Sequence, residues 1–201
     1  MSNPYKCDEY FGIIKKRIEG VIQKNIEYTI TLDENLMPKE SLNNIELYVD
    51  LEDTIIDTLA SRKFLDTNIN RISSFAKEYG IKEGYIFSLA INNEGDLNDY
   101  GNKLKKKIEN KLGISIKGIV DIDKTVKDIL SITSQEIKDI SDILPKYPEI
   151  NYKQQLFEQY VELLKENEQN KIYVLFDDMA KDKTIYVDNK LIKTIKVGED
   201  V

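Results

Sequence analysis

Histidine and tryptophan are missing from the 201 residues, and cysteine occurs once, as Cys7. The lack of imidazole excludes Ser-His and Cys-His catalytic pairs and the common zinc sites built with histidine. Acid–base work near neutral pH is left to carboxylates, lysine and tyrosine. A lone cysteine excludes an intramolecular disulfide and fits a reducing compartment, so a cytoplasmic location is expected. No apolar run approaches the roughly 20 residues that span a bilayer. The stretch Met1-Ser2-Asn3-Pro4-Tyr5-Lys6-Cys7 lacks the charged-then-apolar pattern of a secretory signal. Positive charge is also in deficit. The formal net charge of −7 argues against general affinity for nucleic acid. The richest basic stretch, Lys103-Leu104-Lys105-Lys106-Lys107, has the pattern of a solvated helix face. A track for a phosphate-rich substrate, such as a nucleic-acid end, is the alternative. Tyrosine is plentiful at 12 residues, but no ladder of aromatics signals base stacking.

A composition of 41% hydrophobic and 32% charged residues suits one globular domain with a small appendage. Residues 9–25 place Phe11, Ile14, Ile18, Val21 and Ile22 at helical spacing, and Ile26, Tyr28, Ile30 and Leu32 alternate as in a half-buried strand. Residues 1–43 therefore read as a helix-strand appendage and 44–201 as the core. The core alternates strand and helix, the pattern of a mainly parallel sheet covered on both faces. Strands are expected at 45–50, 85–88, 116–122 and 172–176. Helices are expected at 67–79, at 97–112 closed by Gly113, and at 152–167. A further helix carries Ile137, Ile140 and Ile143, with Thr133 and Glu136 spaced as a capping box. Thr184–Val187 and Ile192–Val197 read as closing strands turned at Asp188-Asn189.

The strongest chemical signal is a pair of acidic clusters, each ending an apolar run. Ile45-Glu46-Leu47-Tyr48-Val49 leads into Asp50-Leu51-Glu52-Asp53-Thr54, and Ile172-Tyr173-Val174-Leu175-Phe176 leads into Asp177-Asp178. Runs of this kind read as buried strands. Open α/β sheets bind ligands at the carboxyl ends of their strands. Carboxylates converging there repel one another unless a cation lies among them, and hard oxygen ligands in that number suit Mg²⁺.

Asp50-Leu51-Glu52-Asp53-Thr54-Ile55-Ile56-Asp57 resembles the first motif of the haloacid dehalogenase superfamily, an Asp-x-Asp-x-Thr stretch after an apolar strand. Asp177-Asp178 resembles its fourth motif, the acidic pair of the Mg²⁺ site. Ser88, ending Tyr85-Ile86-Phe87, resembles the second. Lys153, opening an amphipathic helix before the last acidic strand, resembles the third. All four come in the family's order, over roughly Ile45 to Val197. The resemblance implies a three-layer Rossmann-like fold and a phosphomonoester hydrolase. It makes Asp50 the nucleophile, Glu52 the acid/base, Ser88 a donor to the phosphoryl oxygens and Lys153 an electrostatic stabiliser, with Lys124 the fallback. It places Mg²⁺ on Asp50, the Glu52 backbone carbonyl, Asp177 and Asp178. Thr54 would fix the Asp50 loop, and Asp53 reads as solvent-facing or helix-starting.

Glu52 departs from the family pattern, which has aspartate there. The extra methylene displaces the carboxyl, and a misplacement of about 1 Å can cost roughly 100-fold in rate. A catalytically weakened domain that binds a phosphorylated ligand or a protein partner is thus the alternative to an enzyme. Room for inserted segments is small. Between Thr54 and Ser88 there is space for a flap and one helix, so the chain reads as capless. Residues 1–43 or a second subunit of a homo-oligomer would then supply any lid. No membrane partner is expected.

Overall fold

The computed structural model describes residues 30–31, 45–88, 90–91, 95, 97, 103–122, 124, 152–164, 171–187 and 190–198. In chain order the elements are β1 (Ile30–Thr31), β2 (Ile45–Val49), α1 (Asp66–Glu78), β3 (Glu83–Ile86), α2 (Leu104–Leu112), β4 (Ser115–Ile119), α3 (Tyr152–Leu163), β5 (Ile172–Asp177), β6 (Lys183–Val187) and β7 (Lys190–Lys196). The expected helices at 9–25 and around Thr133 to Ile143, and most of the strand expected over 26–32, lie outside the described residues.

One seven-stranded sheet runs in the order β1-β6-β7-β5-β2-β3-β4. The pairs β7-β5, β5-β2, β2-β3 and β3-β4 are parallel. The pairs β1-β6 and β6-β7 are antiparallel. The two acidic strands are central neighbours, which explains their composition. A strand with neighbours on both edges and helices on both faces meets apolar surroundings throughout, and every residue of β5 is buried. At the other end of the sheet, Val187 pairs with Lys190, so 188–189 form a two-residue hairpin connection.

The alternation of side chains divides the core in two. Leu47, Val49, Val174 and Phe176 face one side, packed with Ile69, Ile72 and Ala76 of α1 and Leu104, Ile108 and Leu112 of α2. Tyr48, Tyr173 and Leu175 face the other, packed with Leu156, Phe157 and Val161 of α3. Helices on both faces of a mostly parallel sheet make this an α/β protein. Burial raises the pKa of the Tyr48 phenol far above the ordinary tyrosine value. It remains a neutral donor, to Glu46, which also pairs with Lys171.

Two glycines are set by geometry. Gly113 ends α2 at φ 73°, a left-handed conformation that costs glycine little. At Gly84 a β-carbon would lie 3.1 Å from the Leu47 carbonyl oxygen and 3.1 Å from Ile114 Cδ1, so β3 packs too closely against β2 for a side chain.

Element boundaries differ from expectation by a few residues. The strand expected at 85–88 is Glu83–Ile86, although the Phe87 N–H still donates to the Val49 carbonyl at 2.9 Å. The strand expected at 116–122 is Ser115–Ile119, and its pairing ends with the bond from Val120 N–H to the Ile86 carbonyl. The described helix over the basic stretch begins at Leu104. There Leu104 is buried while Lys106 and Lys107 are exposed, the solvated face that the pattern suggests. No helix among the described residues is long and apolar enough to cross a membrane.

Candidate functional site

The strand order creates a specific crevice. From β2 the chain steps outward to β3 and β4, then returns to β5 on the opposite side of β2. The reversal puts a topological switch point between β2 and β5, outside whose carboxyl ends α/β sheets bind their ligands. Val49 pairs with Phe176, so the next residues, Asp50 and Asp177, stand level across the switch point. The Asp50 N–H donates to the Phe176 carbonyl at 2.9 Å, continuing the ladder beyond β2. By alternation, Asp50 follows Tyr48 and Asp177 follows Leu175, so both carboxylates leave the sheet on the α3 face.

Asp50, Asp177 and Asp178 each bring a carboxylate oxygen within 4.8 Å of the others. Asp50 is 5% exposed and Asp177 0%, while Asp178 is half-buried. Charges this close repel by roughly 3–4 kcal/mol per pair at an effective dielectric constant of about 20. The folding of two strands against each other therefore concentrates negative charge at one spot, away from bulk water.

Thr54 is the joint of this cluster. Leu51 accepts the Ile55 and Ile56 N–H groups at 2.9 and 3.1 Å, forming a single turn after β2. That turn brings the fully buried Thr54 back beneath Asp50. Its hydroxyl lies 3.2 Å from Asp50 Oδ2 and 3.4 Å from Asp178 Oδ1, and it accepts the Asp178 N–H at 3.2 Å. One side chain thus ties together two acidic segments that are more than a hundred residues apart in sequence. The expected role of Thr54 in fixing the Asp50 loop is met, and the link to Asp178 is additional. Asp53 is exposed, at φ 57°.

Glu52 takes a different direction. Its Oε2 accepts the Leu59 N–H at 3.0 Å, so the carboxylate braces the flap formed by residues 52–64. The flap is closed by its own bonds. Asp57 accepts the Thr58 and Lys63 N–H groups and the Ser61 hydroxyl, and the Asp57 N–H donates to the Lys63 carbonyl at 2.9 Å. The Ser61 hydroxyl, more than any other contact, lowers the pKa of Asp57 below the ordinary aspartate value.

Ser88 lies just past the carboxyl end of β3, buried, with its Oγ accepting the Ala90 N–H at 3.2 Å. Lys153 lies in the first turn of α3, and its side chain is outside the described part of the structure. The buried Gln154 beside it accepts the Lys181 N–H at 3.0 Å. Lys181 follows β5, so the start of α3 adjoins the same sheet edge as the acidic cluster. The fallback Lys124 is exposed beyond β4, with its N–H donating to Asp121 at 3.0 Å. Ile30–Thr31, the described part of the appendage, extend the sheet at its far edge, four positions from β2.

The donor set fits Mg²⁺. Octahedral coordination at roughly 2.0–2.1 Å places opposite ligands about 4 Å apart, so oxygens already within 4.8 Å need only a small inward movement. Three carboxylates with no sulfur or imidazole favour a hard cation. Among the described residues no other cluster of three or more potential ligands occurs. Comparison with known proteins finds no matching family model, no matching curated protein and no matching solved structure.

Proposed function

We propose that this chain is a Mg²⁺-dependent phosphomonoester hydrolase of the haloacid dehalogenase type, working through an aspartyl-phosphate on Asp50. The reading rests above all on the convergence of Asp50, Asp177 and Asp178 at the switch point, tied by the Thr54 hydroxyl. The order of the four motif-like segments supports it as well. In this proposal the protein is a cytoplasmic, capless core domain following the 1–43 appendage, and its substrate is a phosphorylated small molecule or macromolecule.

Bound Mg²⁺ would neutralise the charge on the phosphoryl group and on the nucleophile, held by Asp50, Asp177, Asp178 and the Glu52 backbone carbonyl. An Asp50 carboxylate oxygen attacks phosphorus as the bond to the leaving oxygen breaks. Glu52 donates a proton to that leaving oxygen. Water then attacks the phosphoryl group on Asp50, giving its proton to Glu52 and releasing phosphate with the carboxylate restored. Ser88 donates a hydrogen bond to a phosphoryl oxygen, and Lys153 contributes positive charge.

A second reading follows from the bond between Glu52 and the Leu59 N–H. If the carboxylate stays on the flap, no acid/base remains at the leaving oxygen, and the chain is a binding module for a phosphorylated ligand or a protein partner. A phosphomonoester panel assayed with and without Mg²⁺ separates the two, with Asp50→Asn as control. The hydrolase reading expects Mg²⁺-dependent turnover that the Asp50→Asn variant loses while remaining folded. Undiminished turnover in that variant removes Asp50 as nucleophile. Wild-type rates at background, with phospho-ligand binding intact, favour the binding module.

A further inference from the structure

The segment after β5 is pinned along its length, yet it holds one large apolar side chain outward. Asp177 Oδ1 accepts the Met179 N–H at 2.8 Å, and the Asp178 N–H donates to Thr54. Ala180 is buried. The Lys181 N–H donates to Gln154 at 3.0 Å, and its carbonyl accepts the Thr194 hydroxyl at 2.7 Å. Asp182 accepts the Lys196 N–H at 2.8 Å. Amid these anchors Met179 is 67% exposed, and among the described residues no other large apolar side chain is exposed.

A single apolar residue on a surface is ordinary. This one differs in two respects. It directly follows two of the three cluster aspartates, and its backbone is hydrogen-bonded to the Asp177 carboxylate itself. Met179 therefore cannot withdraw into the protein without disturbing the acidic cluster. Methionine is flexible and polarisable, and it packs well against aromatic and aliphatic groups of varied shape.

We propose that Met179 is the apolar wall against which the non-phosphoryl part of the ligand packs. The site would thus favour phosphomonoesters with an aryl or alkyl group over polyol phosphates. This rests on Asp50, Asp177 and Asp178 forming a phosphoryl site, and it holds whether or not the bound ester turns over. Burial of a thioether side chain against one aryl group is sufficient for about a tenfold difference in affinity, or 1.4 kcal/mol.

The test is calorimetric binding of two non-hydrolysable probes to the full chain with Mg²⁺, naphthylmethylphosphonate and 3-hydroxypropylphosphonate. Wild type should bind the naphthyl probe about tenfold more tightly. Met179→Ser should weaken only that probe, bringing the two within about twofold, and Met179→Leu should restore the preference. Thermal melts should show all three proteins equally folded, since the side chain is on the surface. An unchanged preference in Met179→Ser overturns the role of Met179, as does equal affinity for both probes in wild type. In either case the phosphoryl site stands. Failure of wild type to bind either probe overturns both the phosphoryl site and the wall.

Discussion

Glu52 has two roles that substitution can separate. Its carboxylate reaches the Leu59 N–H at 3.0 Å, and the proposed mechanism also assigns it the proton for the leaving group. Glutamine keeps the length and an acceptor oxygen, so Glu52→Gln should keep the flap bond while abolishing proton transfer. Aspartate is shorter by about one carbon–carbon bond, roughly 1.5 Å, which stretches the contact to about 4.5 Å, beyond hydrogen-bonding range. Leaving the amide without its acceptor costs about 1 kcal/mol in this partly exposed setting, enough to speed its hydrogen exchange roughly fivefold. Residue-resolved exchange at Leu59 reads the first role, and steady-state turnover reads the second. Glu52→Gln should preserve protection at Leu59 while lowering turnover by roughly 100- to 10,000-fold. Glu52→Asp should lose protection, and its released carboxyl could restore or raise turnover. Full activity in Glu52→Gln would refute the acid/base role. Retained protection in Glu52→Asp would refute the brace.

Other consequences are equally specific. Thr54→Val keeps the volume but removes the hydroxyl between Asp50 and Asp178. It should weaken Mg²⁺ binding about 10- to 100-fold, as loss of a ligand-orienting group does, measured by calorimetry. Gly84→Ala places a methyl 3.1 Å from the Leu47 carbonyl oxygen. It should destabilise the fold by about 1–3 kcal/mol, seen in urea unfolding. Asp57 has a lowered folded-state pKa, so its contribution to the flap is present above the ordinary aspartate range and fades as pH falls through that lowered value. Ser61→Ala removes the largest cause, and NMR titration of the Asp57 carboxyl should show its pKa move upward.

Legibility in the sequence followed the range of the interactions. The buried strands at 45 and 172 were plain because a central parallel strand is apolar on both sides. The connection at 188–189 and the end of α2 at Gly113 were plain because they depend on local backbone conformation. The acids ending β2 and β5 stood out as carboxylates directly after apolar runs. Thr54 was assigned to its own turn, but its bond to Asp178 crosses more than a hundred residues, which no local pattern encodes. The engagement of Glu52 with Leu59 was missed because it depends on the path of the flap, with Asp53 and Arg62 both at φ 57°. Gly84 read as an ordinary strand residue, since the closeness of β2 follows from sheet packing. Met179 gave no signal beyond its position after Asp178, because exposure is set by the surrounding fold.

Calorimetric titration of Mg²⁺ into wild type, Asp177→Asn and Asp178→Asn tests most directly whether Asp50, Asp177 and Asp178 form one cation site. Wild type should show a single site, and each variant should lose it or weaken it by at least about tenfold while keeping its fold, since removing a charged oxygen ligand lowers affinity for a hard cation. Absence of Mg²⁺ binding in wild type, or affinity unchanged in both variants, would contradict the account.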